Sequence, residues 1–213
     1  MNNLLKLLSI LQLTKEQPVS GYLVAGVKHA ELPNLADHHY NCILISYFLA
    51  QKIKDRGITI DERKLMLLLM FHDLSELFGG DVAAPLNRKY PDLKIHKDKI
   101  GDRAMEMLAE LADGSAGTEM KQKYWEFENE DSDERWLAKI IDQMDHMLFF
   151  EHYNNSQKFP KSVLYRDEFL AKHIIDLQKN IKNEELKKVV DEFLQEFKNN
   201  FYNQGYQPIA FLM

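Results

Sequence analysis

The sequence predicts an all-α protein, and three observations carry that prediction. Glycine and proline are scarce, nine and six in 213 residues, well below their roughly 12% share of average composition. Neither occurs in residues 34–56, 58–78, 118–159 or 161–204, and gaps of that length suit long helices rather than a meander of short strands. No segment alternates apolar and polar residues with the period of two that a half-buried strand needs.

Taken in order, residues 2–13 predict a short amphipathic helix with Leu4, Leu5, Leu8 and Leu11 on one side. Residues 14–35 read as irregular, punctuated by Pro18, Gly21, Gly26 and Pro33. A helix over 36–55 stops at Gly57, a residue suited to a left-handed cap. Thr59 and Glu62 fit a capping box for a helix over 61–78, ended by Gly79-Gly80. A loop with Pro85 and Pro91 leads to further helices at 94–112, 119–128, 132–154, 163–180 and 184–203, and the tail 204–213 reads as an extended packed segment. No repeat, linker or domain boundary is visible, so 1–213 is expected to be one domain. The helix over 61–78 belongs at its centre, because Leu65–Phe71 is apolar on every face.

Composition narrows the function. Hydrophobic residues make up 45% of the chain, enough for a sizeable core, and the formal net charge is −6. Bulk positive charge therefore does not bind this chain to a nucleic-acid polymer, whereas a small phosphorylated ligand needs only a local cationic pocket. The longest apolar run, Leu65–Phe71, falls far short of the ~20 residues of a membrane span. Met1–Leu13 lacks the basic start and small-residue cleavage site of a signal peptide. The single cysteine, Cys42, forbids an internal disulfide framework and fits a reducing, cytoplasmic compartment. It sits among apolar neighbours, as a packing residue would. Trp125, Trp136 and Phe149-Phe150 are expected in the core.

The apolar run of the central helix is followed at once by His72, Asp73, Ser75 and Glu76. Polar groups left unpaired in a buried element each cost about 1–3 kcal/mol, and a carboxylate more unless a cation lies beside it. A metal ion would satisfy several of them together. His72 and Asp73 are about 100° apart on a helix and can both reach an ion at its side. Glu76, four residues after His72, shares that face. Further ligands must come from other helices: Asp37-His38-His39 opens one, and Asp142 and Asp145 lie in an otherwise apolar stretch of another. Helix geometry alone does not choose between His38 and His39. The bland alternatives are a polar helix end, a solvated histidine and a carboxylate paired to lysine. His146 and His152 read as surface or dimer-contact residues.

The ordered set Ala36-Asp37-His38-His39-Tyr40, Phe71-His72-Asp73-Leu74-Ser75-Glu76, Gly80-Asp81-Val82-Ala83-Ala84-Pro85 and Ile141-Asp142-Gln143 resembles the HD-domain superfamily of metal-dependent phosphohydrolases. Within it, the string is similar to the branch containing bacterial 5′-deoxynucleotidases. The resemblance spans residues 20–155, and the last helices and tail, 160–213, carry no signature. It implies an HD-domain helical bundle and a likeness to dimeric enzymes. It implies His38, His72, Asp73 and Asp142 as ligands of one divalent metal, with His38 preferred because Asp37-His38-His39-Tyr40 matches the family's Asp-His-x-Tyr. Two histidines and two carboxylates suit Mn, Co, Ni, Zn or Fe, with Mg also admitted. The resemblance further implies Glu76, beside metal-bound Asp73, as the catalytic group that activates water, and Asp81 as a sugar contact.

The chain departs from that branch in one place. An Arg next to an aromatic residue is expected upstream of the first motif, and here Pro18-Val19-Ser20-Gly21-Tyr22 offers Tyr22 without the Arg. Candidate replacement cations are Lys28, Arg88, Lys89, Lys94 and Lys97, of which Arg88 and Lys89 join Tyr22 and Asp81 as expected substrate contacts. The expected reaction is removal of phosphate from a nucleoside 5′-monophosphate or a similar small phosphomonoester. Other readings are an HD-type hydrolase of an alarmone or nucleoside triphosphate, a two-metal oxygenase, and a non-catalytic nucleotide sensor. The oxygenase needs further histidines between Asp73 and Asp142, where only His96 stands. The sensor would be expected to lack Glu76 or a ligand.

Overall fold

Asn34 sets the start of the helix that carries the first histidine motif. Its Oδ1 accepts the Asp37 N–H at 2.9 Å, and its own N–H reaches Asp37 Oδ2 at 3.4 Å, a reciprocal cap that satisfies two donors at once. The helix, α2 (Leu35–Asp55), ends in a Schellman motif: Ile58 N–H bonds the Ile53 carbonyl at 3.3 Å and Gly57 N–H that of Lys54 at 2.8 Å. Gly57 adopts φ +76°, which only glycine takes readily.

The computed structural model describes residues 1–80, 86, 89–152, 171–197 and 199. Besides α2 it contains α1 (Asn2–Leu11), α3 (Glu62–Phe71), α4 (Glu76–Gly79), α5 (Asp92–Ala112), α6 (Gly114–Asn129), α7 (Asp133–His152), α8 (Ala171–Gln178) and α9 (Glu184–Phe197). Short 3₁₀ turns at Gln12–Lys15, Ser20–Ala25 and His29–Glu31 fill the segment expected to be irregular. Among the described residues there is no strand, only an isolated bridge between Pro18 and Asn34. The all-α expectation therefore holds.

Two compact units form, Met1–Leu44 with Met66–Glu130, and Ile45–Leu65 with Asp131–Met213. In the first, α5 and α6 make a tight antiparallel hairpin, and α1 and α4 pack on α5. The turn between α5 and α6 uses Asp113 and Gly114 at φ +60° and +53°. Close contact depends on Gly117, where an added Cβ would lie 2.2 Å from the Ala109 carbonyl oxygen. Leu68, Leu69, Met105, Leu108 and Phe127 form its interior. In the second unit, Ile53, Leu65, Leu137, Ile140, Ile141 and Phe150 are buried. Asp133 ties the α8–α9 turn to the start of α7 by accepting Lys182 N–H at 2.6 Å and Asn183 N–H at 3.1 Å.

Several expectations need correction. Asp61, not Thr59, caps α3, its Oδ1 accepting Lys64 N–H at 2.9 Å. The helix expected over 61–78 is broken: α3 stops at Phe71, a turn covers 72–75, and α4 is a separate single turn. α1 buries Leu7 and leaves Leu4, Leu5 and Leu8 exposed, the reverse of the expected face. Trp125 is exposed rather than core, and Trp136 is half-buried, stacked under Arg135 and donating to Asp131 at 2.8 Å. The expected helix over 119–128 begins five residues earlier. Residues 163–170, 200–203 and the tail 204–213 lie outside the described residues.

Candidate metal centre

The break after α3 is where the polar residues gather. The turn is held by short-range bonds, Leu74 N–H to the Phe71 carbonyl at 3.3 Å, Glu76 N–H to Asp73 at 2.9 Å and Leu77 N–H to Leu74 at 3.3 Å. This is 3₁₀-type bonding, tighter than the α-helix on either side. His72 lies against the end of α3, its Nδ1 2.8 Å from the Leu69 carbonyl oxygen. A carbonyl only accepts, so Nδ1 carries the proton and Nε2 presents its lone pair. That second hydrogen bond fixes the ring as ligating histidines require.

The His72 lone pair points into a cluster. His72 Nε2 is 3.2 Å from His38 Nε2 and 3.2 Å from Asp73 Oδ2, and His38 Nε2 is 3.7 Å from the same oxygen. Both rings are buried, while the Asp73 carboxylate keeps 27% exposure and leaves one side open. Ligands about 2.1 Å from a divalent ion stand about 3.0 Å apart at octahedral angles and about 3.4 Å at tetrahedral ones. The three donor atoms match that spacing, and one of them is an anion. The residues present fit a borderline divalent metal.

His39 packs its ring 5.1 Å from that of His72 and 6.0 Å from that of His38, without supplying one of these three donor atoms. Phe127 covers His72 at 4.8 Å between centroids. Cys42 is buried one turn along from His38, its Sγ 3.7 Å from His38 Nδ1.

Glu76 opens α4. Its carboxylate is 11% exposed and accepts from Lys97 Nζ on α5 at 3.2 Å. The Ser75 hydroxyl donates to the phenol oxygen of Tyr124 on α6, whose pKa burial pushes up and that bond draws partly back. Either way the phenol stays protonated at neutral pH.

In the second unit Asp142 lies on α7 with a carboxylate 14% exposed. It pairs with His146 at 3.4 Å and accepts from the Gln143 amide at 3.0 Å. Asp145 beside it is buried. Tyr22 is buried in its 3₁₀ turn. Lys89 is exposed over the Tyr90 ring, and Lys94 pairs with Asp98 at 2.9 Å. Asp81 and Arg88 lie outside the described residues. Sequence reasoning missed the Lys97–Glu76 pair and the Tyr124–Ser75 bond, since neither spacing follows a helical or motif period.

A helical fold with a histidine–histidine–aspartate donor set, two buried rings and one half-buried carboxylate, converging just after α3 is that of an HD-type metallohydrolase. The chain belongs to the HD domain family: the model of that family matches residues 12–187. Curated relatives include 5′-deoxynucleotidase HDDC2 of Danio rerio, 26% identical over 160 residues, 75% of this chain and 74% of that one. The Homo sapiens protein of the same name is 25% identical over 158 residues, 74% of this chain and 72% of that one. Among solved structures, the PH0347 protein of Pyrococcus horikoshii OT3 superposes with a TM-score of 0.69 at 23% identity. That match covers 92% of this chain and 98% of that one, a likeness of fold.

Proposed function

We propose that this protein is a metal-dependent phosphohydrolase that removes phosphate from a nucleoside 5′-monophosphate or a close phosphomonoester. The observation that carries the reading is the convergence of His38, His72 and Asp73 with Glu76 in the next turn. The HDDC2 relatives, named as 5′-deoxynucleotidases, support the substrate class. The family match over 12–187 supports one HD domain over 1–213, and the single cysteine supports a cytoplasmic protein. Among the described residues no helix is long and apolar enough to cross a membrane.

In this reading His38, His72, Asp73 and Asp142 hold one divalent ion, Mn, Co, Ni, Zn, Fe or Mg. A bound ion of this kind lowers the pKa of its water and polarises a phosphoryl oxygen. The Nδ1 proton of His72, given to Leu69, keeps its Nε2 available. Glu76 orients the attacking water and takes its proton on a carboxylate oxygen. Tyr22, Arg88 and Lys89 are the proposed contacts around the phosphate. Phosphate release from nucleoside mono-, di- and triphosphates, measured across these metals, tests the assignment. Release from none of the monophosphates with any metal would refute it.

Asp81 follows the Gly79-Gly80 turn. A carboxylate repels phosphate but accepts well from a sugar hydroxyl. Losing such a bond typically costs about 1.5–3 kcal/mol, roughly tenfold to a hundredfold. The expected result for Asp81→Ala is loss on that scale with a nucleoside monophosphate and little change with an aryl phosphate that has no sugar. Equal losses on both would remove the sugar role.

The working form is proposed to be a homodimer. Tyr40, Leu44, Tyr47 and Phe48 make an exposed apolar stripe along α2, larger than scattered surface apolar residues require. Two such helices crossing antiparallel about Leu44 bring Asp37 of one near Lys52 of the other, with opposed macrodipoles. Phe48→Glu is expected to give a monomer by light scattering, and an unchanged mass would place the interface elsewhere or exclude it.

A further inference from the structure

The ammonium paired with Glu76 is on another helix. α4 is a single turn following an irregular one, so its own backbone orients the Glu76 side chain poorly. α5 is 21 residues long and presents one face to this turn in register. Lys97 meets the Glu76 carboxylate at 3.2 Å. Ile100, three residues on, lies so close to Gly79 that an added Cβ there would come within 2.7 Å of Ile100 Cγ2. Gly101, four residues on, leaves room for the Tyr124 hydroxyl and Ser75, which its own Cβ would meet at 2.5 Å and 3.3 Å. Positions i, i+3 and i+4 share a helix face. Lys97 is thus fixed over Glu76 by the same packing that seats the whole 75–79 turn.

The chemistry of the pair is directional. The Glu76 carboxylate is 11% exposed and the Lys97 side chain 33%, so the ammonium has one side toward the carboxylate and another toward solvent. A carboxylate this enclosed is favoured beside a cation, and a charge-assisted hydrogen bond is about twice as strong as a neutral one. Lys97 Nζ engages the carboxylate through one oxygen, Oε1.

We propose that Lys97 is a positioning residue for Glu76: it fixes the carboxylate by Oε1 and thereby sets the turnover rate, without contacting substrate. The inference rests on Glu76 being the general base of the proposed reaction. A cationic side chain whose ammonium met the phosphate would act on substrate binding instead, so the two roles separate in kinetics.

The test is a double-mutant cycle read as kcat and KM separately on a nucleoside monophosphate. Lys97→Met keeps the aliphatic stem and removes the charge. It is expected to lower kcat about tenfold, a part of the 10²–10⁴ that a general base supplies, with KM unchanged and bound metal retained. Lys97→Arg is expected to restore most of kcat, which also answers the question should the methionine variant fold poorly. In a Glu76→Ala background, Lys97→Met is expected to cost nothing further. A KM rise of tenfold with kcat intact, or the same loss in both backgrounds, would overturn the proposal by making Lys97 a substrate contact. Unchanged kinetics in Lys97→Met would overturn it outright. Full activity of Glu76→Ala alone would instead refute the general-base assignment on which the inference stands.

Discussion

Asp73→Ala is expected to abolish metal retention and turnover together. In the cluster His38 and His72 are neutral donors whose Nε2 atoms face each other at 3.2 Å, and Asp73 is the anion among the three. Removing it leaves two imidazoles that satisfy each other through one proton and no longer balance a divalent charge. The variant is expected to keep its fold, because the Asp73 carboxylate is 27% exposed and supports no core packing. Metal content after gel filtration should fall to background, phosphate release should vanish, and far-UV circular dichroism should be unchanged. A fully metallated Asp73→Ala protein would remove Asp73 from the ligand set.

That cluster was legible in the sequence because its logic is local. A run of seven apolar residues leading straight into His72, Asp73 and Glu76 leaves buried polar groups in need of a partner, and the ordered motifs named the others. The choice of His38 over His39 was not readable from helix geometry, since adjacent positions on one helix are equivalent until a partner element is placed. In the structure His38 Nε2 lies beside His72 Nε2 and Asp73 Oδ2, and the His39 ring lies 5.1 Å from that of His72. The break at 72–75 escaped the sequence for a related reason. His72, Asp73 and Ser75 are weak helix formers, but each is tolerated inside a helix, and the apolar pattern runs on to Phe78. In the structure His72 donates back to the Leu69 carbonyl and the following residues bond at i→i+3, local bonds that take the place of the next helical turn.

The errors at α1 and Trp125 have the opposite cause. Leu4, Leu5 and Leu8 make a convincing apolar face, yet it is Leu7 that is buried as α1 packs on α5. Periodicity finds an amphipathic helix but does not say which stripe meets a neighbour when leucines occupy several. Trp125 is apolar and aromatic but exposed, whereas α6 turns Phe127 and Met120 inward. The cap of α3 was misplaced by two residues because Thr59-x-x-Glu62 and Asp61-x-x-Lys64 both offer an oxygen acceptor. A side chain from α7, Glu134, fixes Asp61 by accepting its N–H at 3.1 Å.

Glu76→Ala is expected to keep the metal and the fold while turnover falls by about 10²-fold or more, the size typical of a positioned general base. The contrast with Asp73→Ala follows from their places in one short segment. Asp73 lies in the turn with an oxygen in the donor cluster, and Glu76 begins α4 with its carboxylate engaged by Lys97. One residue is needed to hold an ion, the other to move a proton. Glu76→Gln sharpens the result, because the amide keeps the length and a hydrogen-bond acceptor for Lys97 while losing basicity. If Glu76 acts as base, Gln should be as inactive as Ala. If the glutamine variant retains most of the activity, Glu76 orients the water without taking its proton. If either variant emerges from gel filtration without metal, Glu76 is a ligand, and the division of labour between Asp73 and Glu76 fails with it.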